Sequence, residues 1–242
     1  YTGMSALRPE EDRDKIHSSY VDQRDLERGS KREARNICCL KKMVRGIDEA
    51  IEVTENRLHV EFPGIVPMLP EEIHFVYAEE LRKQFPDLSP KEREDAITTR
   101  YGAVFVMGIG HPFEDWSQHD GRAADYDDWS TVNEDGYPGL NGDILLWNPI
   151  LERSFEISSM GIRVDETAMR YQLGLRKQDE KSGLYFHKML LEGNLPYTIG
   201  GGIGQSRLCM LLLRKAHIGE IQSSIWPQQM REECAGSGIH LM

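Results

Sequence analysis

Cysteine is scarce in this 242-residue chain and carries no pattern. Cys38, Cys39, Cys209 and Cys234 form neither a C-x-x-C pair nor the spacing of a disulfide framework, so a reducing compartment suits the chain and the thiols read as buried or idle. Basic charge is short as well. Lys and Arg total 29 against 40 Asp and Glu, a formal charge of −11, which repels phosphate backbones unless cations cluster locally and disfavours a large tRNA or DNA footprint. No run reaches the roughly 18 apolar residues of a membrane span, and no basic-plus-apolar targeting signal opens the chain. A soluble, cytoplasmic protein with no nucleic-acid or membrane partner is expected. Linkers, internal repeats and low-complexity tracts are missing too, so residues 1–242 are read as a single domain with one sizeable core. An initiator Met is also missing: YTGMSALRPEEDRDK starts inside a charged, loop-like stretch, and the chain is expected to be part of a longer protein.

What is present reads as strands and helices in alternation. SSYVDQRDLE alternates, with Tyr20 and Asp22 on one face and Val21 and Gln23 on the other, which predicts a strand with unusually polar members. From Lys31 to Phe62 the apolar residues Ile37, Leu40, Val44, Ile47, Ile51 and Leu58 recur at helical spacing, predicting a long helix packed on a sheet. EEIHFVYA reads as a strand and AEELRKQF as a short helix. Ser89, Pro90 and Glu92 supply an N-cap, a first-turn proline and a capping-box acid for a helix running toward Tyr101. GAVFVMGIG reads as a buried strand. Two more strands, Asp143 to Trp147 and Ser154 to Ser159, flank a turn at Asn148-Pro149, and Asp165 opens a further helix. Sequentially paired strands with helices outside them predict an α+β fold, an antiparallel sheet flanked by helices.

The densest chemistry lies in YTIGGGIGQSRLCMLLL, residues 197–213. Without Cβ atoms, Gly201, Gly202 and Gly204 let a flat ligand approach a strand's backbone. The helix from Gln205 to about Leu213 aims its N-terminal N–H groups at the same region. Arg207 in its first turn can stack on an aromatic base and fork onto phosphate oxygens. A glycine-rich turn serving tight helix–sheet packing would look the same. No Gly-Lys-Ser/Thr of a P-loop and no ribose-binding acid of a Rossmann unit accompanies it.

Three other stretches add to it. SALRPEED sets Arg8 in a loop with Glu10, Glu11 and Asp12, able to meet a phosphate or to form a solvated charged loop. RAADYDDWST places Asp125, Asp127 and Asp128 near Arg122, a charge density suited to a cation or ammonium ligand, or to a solvated acidic turn. LNGDILLWN and SFEISSMGIRVD supply Asp143 and Glu156 from paired strands, oxygen ligands suited to Mg²⁺ bridging nucleotide phosphates.

GGGIGQSRLCMLLL resembles the third signature motif of class II aminoacyl-tRNA synthetases, and ALRPEEDRD followed by HSSYVDQRDLE their second. Taken in order, ALRPEED, SSYVDQ, ADYDDWS, GLNGDIL, SSMGIRVD and GGGIGQSR are similar to the aspartate–ammonia ligases, ammonia-dependent asparagine synthetases that use this fold without charging tRNA. The resemblance runs from the first residues to about Pro227. It implies L-aspartate, ATP and ammonia as substrates, a β-aspartyl-adenylate intermediate, AMP and pyrophosphate as products, Mg²⁺, and a homodimer. It further implies that Arg8 meets the α-phosphate, that Arg207 stacks on adenine and meets the γ-phosphate, and that Asp143 and Glu156 hold Mg²⁺ with Ser158 or Ser159 near the nucleotide. Gln23 and Asp127 are then expected in the aspartate pocket, followed by Asp25 and Asp22, with Arg122 and Arg163 as partners for a carboxylate or phosphate. No glutaminase-like nucleophile such as an N-terminal Cys is present. In that family a longer N-terminal segment carries the first motif, much of the dimer interface and part of the aspartate pocket, and this chain is expected to lack it. A tRNA synthetase core and a catalytically dead nucleotide-binding module are the competing readings.

Overall fold

A computed structural model describes residues 1–10 and 12–242; Glu11, grouped with Arg8 in the sequence, lies outside the described residues. Among the described residues seven strands and seven α-helices follow in the order β1 (Thr2–Leu7), β2 (Tyr20–Ser30), α1 (Ile37–Glu61), β3 (His74–Tyr77), α2 (Ala78–Gln84), α3 (Pro90–Tyr101), β4 (Ala103–Met107), β5 (Asn141–Asn148), β6 (Arg153–Ile162), α4 (Glu166–Arg176), α5 (Tyr185–Leu191), β7 (Tyr197–Gly204), α6 (Gln205–Leu212) and α7 (Gln228–Gly236). Capping chemistry explains several boundaries. The Ser89 hydroxyl accepts from the Glu92 N–H while the Glu92 carboxylate accepts from the Ser89 N–H, so α3 starts at Pro90 as predicted. Asp165 accepts from the N–H groups of Thr167 and Ala168 and starts α4.

The strands form one sheet in the order β1-β2-β7-β6-β5-β4-β3. Every neighbouring pair is antiparallel except β3 and β4, which run parallel. The expected antiparallel sheet is therefore a mixed one. The reason is the pair α2–α3, which carries the chain back across the sheet between β3 and β4; such a crossover returns the second strand in the same direction as the first. The other departure is at the start, where residues expected in a loop form the exposed edge strand β1. No helix among the described residues is long and apolar enough to cross a membrane.

One sheet face carries the main core. Ile37, Leu40, Val44 and Ile51 of α1 and Met210, Leu211 and Leu212 of α6 pack on Phe105, Ile144, Leu146, Phe155, Ile157, Met160, Ile162 and Ile199. On the opposite face α2 and α3 cover the β3–β5 end, through Ala78, Leu81 and Ile97 against Val104, Val106 and Leu145, and α3 also reaches the start of β6, where Asp95 accepts from the Ser154 N–H. The rest of that face, over β2, β7 and β6, borders a cleft. A register shift between Ile144 and Leu145 leaves Ile157 unpaired in β6. This bulge lets Phe155, Ile157, Met160 and Ile162 all reach the core while Glu156 and Ser159, three residues apart, both line the cleft.

Gly201 pairs with Met160 and faces the core. A methyl group there would meet the Ser159 carbonyl at 2.8 Å and the Met160 backbone at 3.0 Å. Gly201→Ala should cost about 2 kcal/mol by overpacking, whereas Gly29→Ala, with nothing within 4 Å of the new methyl, should stay within about 0.5 kcal/mol of the parent. Paired thermal melts measure the difference, and equal stabilities would contradict this placement.

Candidate active site

The cleft has a volume of about 190 Å³, and its walls include Arg8, Gln23, Tyr126, Glu156, Ser159, Gly202, Gly204 and Arg207. Its position follows from the strand register. Asp143, Ser159, Gly202 and Asp25 stand opposite one another on β5, β6, β7 and β2, making a transverse row on the cleft face. A second row one step along holds Asn141, Gly161, Gly200 and Glu27. The glycines serve neighbouring side chains first. A methyl at Gly202 would meet the Asp25 carboxylate at 2.8 Å, one at Gly200 the Glu27 carboxylate at 2.7 Å, and one at Gly161 the Asp127 carboxylate at 2.9 Å. The glycine floor is thus occupied by polar side chains laid flat across it, which the sequence reading took as room for a ligand. Of the three glycines expected beside a nucleotide, Gly202 and Gly204 line the cleft, and Gly201 lies on the core side.

Arg207 lines the cleft from the first turn of α6 and donates to the Glu156 carbonyl at 3.3 Å. Arg8 lines it from the segment after β1. Asp143 sits just behind the wall. Gly110, with φ +107°, carries no Cβ and lets Arg122 close in, since a methyl there would meet Arg122 Cβ at 2.8 Å. The Arg122 guanidinium then bonds one oxygen of Asp143 as well as Asp120. The other Asp143 oxygen and the Ser158 hydroxyl are buried without a hydrogen-bond partner. Burial raises the pKa of Asp143 despite Arg122, and raises Glu156 to about 6, with the Asp143 charge adding to the effect.

Asp127 was expected to wall the aspartate pocket; it is buried and pairs with Arg163, leaving Tyr126 as the side chain on the cleft surface. Burial lifts its pKa to about 6 even with Arg163 alongside. Gln23 lines the cleft and donates to Asp25 at 2.6 Å. Asp22 also borders the cleft, with its carboxylate accepting from Ser5 and Tyr20. Arg122 and Arg163 are each engaged by acidic side chains of the chain itself. Sequence reasoning missed Glu27, Tyr126 and Gln222. Gln222 donates to the Tyr20 carbonyl at 2.6 Å and bonds Ser18 and Ser206, tying the segment after α6 to β2. Only the alternation of β2, which puts Glu27 on the face of Gln23, could have signalled Glu27.

The description of the aspartate–ammonia ligase family matches residues 1–238. A ligase of that name from Parabacteroides distasonis is 55% identical over the whole chain, which covers 70% of it, and one from Clostridium tetani is 54% identical, with 68% covered. The chain belongs to the aspartate–ammonia ligase family. Its fold is that of the class II aminoacyl-tRNA synthetases. The asparaginyl-tRNA synthetase of Pyrococcus horikoshii, complexed with asparaginyl-adenylate, superposes with a TM-score of 0.66 over 93% of this chain and 53% of that one, at 15% identity. The Entamoeba histolytica asparaginyl-tRNA synthetase gives 0.64 over 91% and 50%, at 17% identity. Ligase and synthetases thus share a sheet at low identity.

The raised carboxyls set a pH dependence. Glu156 sits at about 6 in the folded chain against 4.5 for a free carboxyl, so the folded state binds the extra proton. The corresponding stability is complete below about 4.5 and is lost as pH rises through about 6, a difference of about 2 kcal/mol. At pH 7.5 Glu156→Gln should therefore melt higher than the parent, with a shallower dependence of Tm on pH between 4.5 and 6.5. A lower Tm at pH 7.5 would show that Glu156 is stabilised where it stands.

Proposed function

We propose that the chain joins ammonia to the side-chain carboxylate of L-aspartate at the expense of ATP, through a β-aspartyl-adenylate. Membership of the family supports the overall reaction. What carries the stepwise reading is the convergence of Arg8, Arg207 and Glu156 on one cleft, with Asp143 buried just behind its wall. A carboxylate is a poor acyl donor because its leaving group would be an oxide. Attack of a carboxylate oxygen on the α-phosphorus, with expulsion of pyrophosphate, turns that oxide into AMP. Ammonia then attacks the acyl carbon, loses a proton and releases AMP.

Arg8 neutralises the α-phosphate, and Arg207 stacks on the adenine and reaches the γ-phosphate. Asp143 and Glu156 would hold Mg²⁺. The unpartnered Asp143 oxygen and the raised pKa of both carboxyls fit a cation at these two acids. Such an ion supplies charge neutralisation on the triphosphate. Ser158 and Ser159 lie beside the nucleotide. Gln23 and Asp25 bound the aspartate end, and Asp127 acts there through Arg163. Arg122 positions Asp143.

The decisive assay is AMP formation from ATP and aspartate with and without ammonium, and with and without tRNA. Ammonium-dependent AMP and asparagine support the ligase; aspartate transfer to tRNA would support a synthetase, and no turnover a binding module. Arg207→Ala should lower kcat/KM for ATP by on the order of 30- to 1,000-fold, with little rescue by Arg207→Lys. Unchanged ATP kinetics would remove Arg207 from the nucleotide site. Asp127→Asn should raise KM for aspartate more than KM for ATP, because it removes the buried acid that fixes the inner edge of Arg163, whose outer edge keeps Glu27. Equal losses would make Asp127 scaffold alone.

A further inference from the structure

Arg163 presents three donor positions. Nη1 is bound to Asp127, which is 3% exposed. Nε donates to Glu27 at 2.6 Å and Nη2 also contacts Glu27, whose side chain is 44% exposed. Nη2 donates in addition to the Tyr126 hydroxyl at 2.8 Å, with the guanidinium 3.8 Å from the Tyr126 ring centre. The Arg163 side chain as a whole is 9% exposed. Its inner edge is therefore locked by a buried acid, while its outer edge is closed by an acid that already faces water. Gly200 gives Glu27 the space to lie across β7 and reach that edge.

The dicarboxylate substrate brings a second carboxylate, which does not react and must be met by a cation. Arg8 and Arg207 lie at the end assigned to the triphosphate, and Arg122 is held between Asp120 and Asp143. We infer that Glu27 is a stand-in carboxylate: it neutralises the outer edge of Arg163 in the empty site and is displaced when the non-reacting carboxylate of aspartate takes its place. This rests on the aspartate-ligase reading above. The exchange trades one carboxylate for another on the same guanidinium, so no net charge is buried. Asp127 stays throughout and keeps Arg163 oriented. The ring of Tyr126 covers one face of the guanidinium and restricts approach to the edge that Glu27 vacates. Glu27 is thereby a specificity-determining residue: ligands that cannot offer a carboxylate leave it in place.

Glu27→Gln removes the competing charge and keeps the size. KM for aspartate should fall by about threefold to tenfold with KM for ATP unchanged, and succinate, which shares both carboxylates, should inhibit more tightly by a similar factor. A KM for aspartate that is unchanged or higher overturns the inference; higher, with succinate discrimination lost, would make Glu27 the partner of the substrate ammonium instead. A structure of the unaltered protein with aspartate bound gives a second test independent of the variant's folding. A broken Glu27–Arg163 contact is expected, and an intact one overturns the stand-in. If the unaltered protein forms no AMP from aspartate at all, the ligase reading fails; turnover with an unshifted Glu27→Gln fails this inference alone.

Discussion

Burying an ionised carboxylate without a partner costs several kcal/mol, and this fold buries Asp127 and Asp143 and nearly buries Glu156 beside one cleft. Much of the local architecture answers that constraint. Arg163 reaches Asp127, and Arg122 reaches Asp143 because the chain turns through a positive-φ glycine at Gly110. The arginines are anchored in turn. Arg163 lies on the Tyr126 ring, and Arg35 bonds both the Arg163 carbonyl and Asp128, joining the acidic segment to the end of β6. The compensation is incomplete. Asp127, Asp143 and Glu156 all stay above their ordinary pKa ranges, a sign that desolvation outweighs the available countercharge.

The sheet makes that concentration of charge possible by using its two faces differently. One face is continuous apolar packing under α1 and α6. The other is apolar only beneath α2 and α3 and glycine-floored elsewhere. Gly161, Gly200 and Gly202 leave no side chains of their own on β6 and β7, so carboxylates from β2 and from the segment before Trp129 can lie across them. The bulge at Ile157 settles a conflict of period: strict alternation would put Glu156 and Ser159 on opposite faces, and one unpaired residue lets both serve the cleft without removing Phe155 or Met160 from the core.

Legibility in the sequence followed the locality of the forces. Elements governed by local chemistry were readable: the Ser89–Glu92 capping box, the Asp165 cap, the apolar stripe of α1 and the hairpin of β5 and β6. The parallel pairing of β3 with β4 was not, because direction depends on where α2 and α3 return the chain and no short-range signal records it. The strand β1 was hidden by its exposure, since an edge strand with polar and apolar residues mixed on both faces has no period-2 contrast. Within the site, residue types were legible and their partners were not. Arg163 and Asp127 were marked as chemistry, but their bond to each other, and Glu27 as the third member, required the register between β2 and β7. The side that Gly201 faces was hidden for the same reason: in a run of three glycines, only the register of Gly201 on Met160 decides which of them face the core.

Folding stability and site chemistry oppose each other in this arrangement. Asp143 and Glu156, whose carboxyls burial holds above their ordinary range, are less favourable as charged groups in the folded chain than in water. That deficit is local, because the apolar face of the sheet is fully buried from Leu40 and Val44 to Phe155 and Met160, and meets the cleft only at its margin through Ile16, Ile157 and Ile218. A ligand that supplies the missing countercharge gains the interaction without having to order the backbone, as the strands that hold these groups are already fixed by ladder bonds on both sides. The tRNA synthetases that share the sheet at 13–17% identity show that this backbone tolerates almost complete replacement of its side chains. In this chain the sheet carries a pattern of charges laid over a glycine floor.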